Sequence, residues 1–119
     1  MLKSDLQTLR SQIELYKMQH LDMSPGVRAG QPFSGELLVR QLTHATSAAG
    51  EVEPSRRSTE KCPYGPYLKS FPRNPFVKGP QAVTVTGGAG PASGDGKTGW
   101  YFDVSKGFLY ANDPEHKDW

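Results

Sequence analysis

The order of hydrophobic patterns predicts an α+β fold: an N-terminal amphipathic helix packed on a small three- to four-stranded antiparallel sheet, with a second short helix and a long proline- and aromatic-rich loop. Three observations predict it. Leu2, Leu6, Leu9, Ile13 and Tyr16 recur at the spacing of one helix face. Short β-branched and aromatic runs gather between 82 and 111. The helical patterns precede the strands instead of alternating with them, which points away from a βαβ sheet. At 119 residues the chain is sized for one domain, 1–119. Its 13 Gly, 10 Pro and 35% hydrophobic content leave a small core and much loop.

The first helix covers 1–20. Leu15 and Met18 widen its apolar stripe, and Lys3, Arg10, Glu14 and Lys17 take the opposite face, with Arg10 and Glu14 spaced for an ion pair. Ser4 and Gln7 have the spacing of a capping box. The stripe nevertheless begins at Leu2, so the helix is expected to be part of a longer one. The stripe reads as core, being too short for a confident coiled coil. Pro25-Gly26 and Gly30 make 20–32 a turn-rich connection.

A second helix is expected over 33–46. Ser34 is its N-cap, Phe33 and Leu38 sit at the staple positions, and Glu36 suits the helix dipole. Leu38, Leu42 and Ala45 form its buried face. The polar stretch 47–61 reads as an exposed loop, and its Arg56-Arg57 pair, flanked by Glu53 and Glu60, as solvated.

Residues 62–80 hold Cys62-Pro63-Tyr64-Gly65-Pro66-Tyr67-Leu68-Lys69-Ser70-Phe71-Pro72-Arg73-Asn74-Pro75-Phe76. The prolines forbid regular helix, and the rings, Phe76 included, are expected to pin an irregular loop to the sheet. Strands follow at 82–86, 100–104 and 108–111, with Gly107 able to take positive φ in the last turn. The glycine-rich stretch 87–99 connects the first two. The tail, 112–119, is polar until Trp119.

Most classes of chemistry find no support. A net charge of +2 with scattered basic residues gives no case for nucleic acid. A single cysteine, Cys62, excludes an internal disulfide and reads as a buried hydrophobe. The run Gly96-Lys97-Thr98 lacks the upstream Gly of a phosphate loop and precedes a strand instead of a helix. His20, His44 and His116 show no ligand spacing, and no nucleophile–base or acid–base pair is marked, so no enzyme and no small-molecule substrate are expected. Among Asp95, Asp103, Asp113 and Asp118, only Asp95 lies in the glycine-rich loop. It is the one calcium candidate, and turn formation is its simpler role. Trp100 and Tyr101 must face opposite ways on a strand, and one of them is expected to pack under the proline-aromatic loop.

One family likeness runs through most of the chain. The segment Asp5-Leu6-Gln7-Thr8-Leu9-Arg10-Ser11-Gln12-Ile13-Glu14-Leu15-Tyr16-Lys17, then Tyr64-Gly65-Pro66-Tyr67-Leu68, then Pro72-Arg73-Asn74-Pro75-Phe76, and finally Gly99-Trp100-Tyr101-Phe102 with its hairpin, resembles type II secretion pseudopilins of the protein G type, relatives of type IV pilins. Order and spacing carry the likeness, not any single motif. It implies a pilin-like domain in which 1–20 is the remnant of a long N-terminal helix, whose missing apolar part anchors the subunit in the bacterial inner membrane after cleavage by a prepilin peptidase. The globular part would face the periplasm. The implied partners are other pseudopilin subunits and inner-membrane components of the secretion system. The structural or interface residues implied are Leu2, Leu6, Leu9, Ile13, Tyr16, Tyr64, Tyr67, Pro72, Asn74, Pro75, Phe76, Trp100 and Tyr101. Major subunits of that family carry an Asp-rich calcium loop. The matching region here has Asp95 alone, so no cofactor is expected. Major subunit, minor subunit and pilin of another system all stay open. A second reading is a soluble ligand- or peptide-binding module presenting Trp100, Tyr101 and Tyr110 on an exposed strand face.

Overall fold

The computed structural model describes residues 2–20, 22–27, 31–117 and 119. Gly30 of the expected turn, Asp118 of the carboxylate set and Met1 lie outside them. In chain order the elements are α1 (Leu2–Gln19), α2 (Gly35–Thr43), a 3-10 turn (Pro80–Val83), β1 (Val85–Gly88), β2 (Trp100–Asp103) and β3 (Phe108–Ala111). The class is α+β. Contacts divide the chain into two compact units: Met1–Arg10 with Pro72–Trp119, and Ser11–Phe71.

The first unit holds the sheet. Its strand order is β1-β2-β3. β2 and β3 pair antiparallel, Trp100 opposite Ala111 and Asp103 opposite Phe108. β1 and β2 run parallel, Val85 beside Trp100 and Gly88 beside Asp103. The sheet is therefore mixed, which corrects the antiparallel expectation. Two local causes produce the difference. Pro80 opens a 3-10 turn that takes Ala82 out of the expected strand, so β1 starts only at Val85. Residues 89–99 then return to the end where β1 began. Asn112 holds that return, accepting from Gly94 N through Oδ1 at 3.1 Å and from Gly96 N through its carbonyl at 2.9 Å. Parallel pairing needs such a long crossover.

Pleat alternation sorts the side chains. Trp100, Phe102, Leu109 and Ala111 are buried, while Tyr101 and Tyr110, opposite each other, are half-buried. Leu2, Leu6 and Leu9 of α1 and Val77, Ala82, Val85 and Ala92 are also buried in this unit's core. The β2–β3 turn closes on Asp103, whose Oδ1 accepts from Ser105 N at 3.0 Å, Ser105 Oγ at 2.6 Å and Lys106 N at 3.3 Å. Gly107 adopts φ 66° there, as its place in the sequence predicts.

The second unit contains the later turns of α1, then α2 and the chain to Phe71. Ser34 caps α2, its Oγ accepting from Leu37 N at 3.2 Å. The helix is shorter than the expected 33–46 because His44 is already extended. Gln41 is fully buried and joins two segments, accepting from Gly26 N at 2.7 Å and donating to Gly50 O at 2.9 Å. Thr46 bridges to both Val52 and Tyr64. Ile13, Tyr16, Leu38, Leu42, Ala45, Cys62 and Phe71 are buried here. Two expectations for α1 are corrected. Leu15 is 39% and Met18 77% exposed, so neither widens the buried stripe. Ser4, whose spacing to Gln7 matches a capping box, lies inside the helix. Arg10 is half-buried, not solvated.

Candidate functional site

The two segments that carried the family likeness at 72–76 and 99–102 are bonded to each other. Asn74, with no exposed surface, donates through Nδ2 to Gly99 O at 2.8 Å and to Asp113 Oδ1 at 3.0 Å. Its Oδ1 accepts from Phe76 N at 2.9 Å, and its own N–H donates to Ala82 O at 3.0 Å. Trp100, also fully buried, donates from Nε1 to Pro72 O at 2.9 Å. A buried side chain with three fixed partners, helped by its own backbone N–H, holds an irregular loop in one conformation. Trp100 is thus the residue packed at the loop, and it is not part of an exposed aromatic face.

Beyond this hub the tail folds back. His116 Nδ1 and Asp113 Oδ2 stand 2.5 Å apart, and the His116 ring lies 4.3 Å from Phe76 and 4.4 Å from Trp119. Phe76 is 54% exposed, which corrects the expectation that it pins the loop; Pro75 beside it is also exposed. Arg10 donates from Nε to Leu109 O at 2.9 Å and from Nη2 to Trp119 O at 2.8 Å, with its guanidinium 4.1 Å above the Phe108 ring. It therefore does not pair with Glu14, which meets Lys17 at 3.2 Å. A groove of about 430 Å³ opens beside it, lined by Lys3, Leu6, Gln7, Arg10 and Trp119.

The second unit brings Tyr16, Tyr64 and Tyr67 together around a residue the stripe did not mark, His20. The His20 ring stacks on Tyr16 at 3.6 Å. It lies 5.4 Å from Tyr64 and 6.3 Å from Tyr67. His20 Nδ1 is 2.6 Å from Tyr16 O and Nε2 2.8 Å from Thr46 Oγ1. Since a carbonyl only accepts, Nδ1 carries the proton of the neutral ring and Nε2 accepts from Thr46. Burial lowers the His20 pKa from its ordinary value, outweighing the carbonyl contact that favours the charged form. Burial also pushes the Tyr67 phenol up to about 12; it donates to Gln19 Oε1 at 2.5 Å. Burial raises the Cys62 thiol, with Glu53 and Glu51 adding to the effect, so it is held as a thiol and not as a reactive thiolate.

Of the carboxylates weighed for calcium, Asp95, Asp103 and Asp113 have other partners. Asp95 accepts from Lys97 N at 3.0 Å and Asn112 Nδ2 at 3.2 Å, and the Lys97 amide leads the causes that lower its pKa. The Ser105 hydroxyl leads those that lower Asp103. Among the described residues no three His, Cys, Asp or Glu converge as a metal site. No described helix is long and apolar enough to cross a membrane.

The periodicity contained a signal for Arg10, which stands four after Leu6 and three before Ile13, within the stripe. Asp113 and His116 carried no comparable signal in a polar tail. No family model, no characterised protein and no solved structure matches the chain.

Proposed function

We propose that this chain is the globular domain of a type II secretion pseudopilin, a structural subunit of a pilin-like filament that takes part in protein secretion across the outer membrane. The observation that carries the reading is the hydrogen-bonded junction of 72–76 with 99–102 through Asn74 and Trp100. Two segments whose order suggested the family meet as one structural feature. The 18-residue α1 gives further support. Its stripe is buried, while Leu15 and Met18 stand exposed on another side, where a neighbouring subunit could cover them.

In this reading the domain makes and breaks no bond. It would be held at the bacterial inner membrane by an apolar helix upstream, matured by a prepilin peptidase, and would face the periplasm among other pseudopilins. The test is fractionation of the native protein from its own cells, followed by N-terminal sequencing and intact mass. The expected form is membrane-bound with ~20 apolar residues ahead of Leu2. A native form in the soluble fraction beginning at Met1 overturns the reading.

A further inference from the structure

We propose that the groove walled by Ser55, Arg56, Arg57, Ser58, Tyr67 and Lys69 binds a phosphate-bearing ligand, with Arg57 and Lys69 as the contacting cations and Arg56 as the residue that positions them. The groove measures about 1000 Å³ and opens to solvent within the second unit. Three cations and three hydroxyl residues, Ser55, Ser58 and Tyr67, line it, and no carboxylate does. Of the acidic residues in this loop, Glu51, Glu53 and Glu60, none lines the groove; Glu53 accepts from the hydroxyls of Ser55, a groove residue, and Thr59, each at 3.3 Å.

The sequence placed only Arg56 and Arg57 together. Arg56 brings in the third charge. Its Nη2 donates to the Lys69 carbonyl and its Nε to Thr43 O at 2.9 Å, while its own carbonyl accepts from Ala45 N at 3.1 Å. Arg56 also sits at φ 72°, a conformation that disfavours a long side chain. Strained backbone held on several sides is commonest where a site must be preorganised.

Arg57 and Lys69 are exposed, and among the described residues neither has a carboxylate partner. Like charges around one groove repel, and a dianion relieves that repulsion better than a single carboxylate. Guanidinium and ammonium donors suit the several oxygens of a phosphate group. Pro66 and Leu68 give the same groove an apolar wall for the rest of the ligand. Because the site is open, binding should be weak and should fall with ionic strength.

The test is an amide NMR titration of the whole chain at low salt with inorganic phosphate and pyrophosphate, alongside sedimentation with phosphatidylglycerol or phosphatidylcholine vesicles. Saturable shifts confined to 55–58 and 66–69 are expected. They should weaken at least about tenfold in Arg57→Gln/Lys69→Gln, whose exposed positions leave the fold intact, and stay unchanged in Lys78→Gln, an exposed lysine that does not line the groove. Phosphatidylglycerol binding lost in the double variant assigns the phosphate to a lipid headgroup, and response to the soluble anions alone assigns it to a free ligand. No saturable response to any probe, or equal weakening in Lys78→Gln, overturns the proposal.

Discussion

The Trp100 indole donates to the Pro72 carbonyl at 2.9 Å, tying the first residue of β2 to the loop that precedes the sheet. The ring is fully buried, so Trp100→Ala should cost about 3–5 kcal/mol. Trp100→Phe keeps much of the apolar contact and strips the donor from one carbonyl, and should cost about 1–3 kcal/mol. Urea denaturation of both variants checks the order. An unmoved midpoint in Trp100→Ala would place the ring outside the core and restore the aromatic-face reading.

Asn74 tests the same junction through its polar groups. Asn74→Ala leaves Phe76 N, Gly99 O and Asp113 Oδ1 without this partner, at about 1–3 kcal/mol for each group that finds no other. Asn74→Asp is more diagnostic, because it sets a second carboxylate where Asp113 now meets a donor at 3.0 Å. Two carboxylates at that distance resist joint ionisation. The variant's deficit relative to the parent should therefore be larger at about pH 7 than at about pH 4.5. A deficit independent of pH would mean that the two side chains do not face each other.

Much of the fold was legible in the sequence, and the rest was not, for identifiable reasons. The stripe from Leu2 to Tyr16 and the Ser34 cap depend on residues within a few positions of each other, so spacing reveals them. The direction of β1 depends on how Asn112 holds the glycine-rich return, a contact across 18 positions from Gly94. The charge of Arg10 points to solvent while its place in the stripe points inward, and its bond to Leu109 O, 99 positions away, decides between them. Lys69 is brought beside Arg57 by the Arg56 side chain, whose Nη2 donates to the Lys69 carbonyl across 13 positions. Asn74 was named from the family likeness, but its partner Asp113 lies 39 positions away and carried no mark.

Gly99 has a steric role. A Cβ there would stand 2.0 Å from Ala82 O and 2.6 Å from Ala82 C, both backbone atoms that a rotamer change cannot move. Gly99 N also donates to Gln81 O at 2.8 Å, which holds the approach. Gly99→Ala should cost about 1–3 kcal/mol or more, with the loss appearing in thermal and urea midpoints together. Ala at Gly96, where nothing crowds a Cβ but φ is 73°, should cost about 1–2 kcal/mol by strain alone. Equal effects at the two glycines would remove the argument from close approach.

His20 should make the second unit acid-sensitive. Its folded pKa is lowered by burial, while the unfolded chain titrates near ~6.5. Below that value the unfolded state binds the proton more readily, so the stabilising contribution is present above ~6.5 and is lost as pH falls through the folded pKa. The slope from this one group cannot exceed ~1.4 kcal/mol per pH unit. His20→Gln should be less stable than the parent at neutral pH, since the stack on Tyr16 and the bond to Thr46 are disturbed. It should nevertheless lose less stability than the parent between about pH 7 and pH 5. Urea denaturation at several pH values in that window measures both slopes. Parallel curves for parent and variant would show that His20 does not titrate against a charge-excluding pocket.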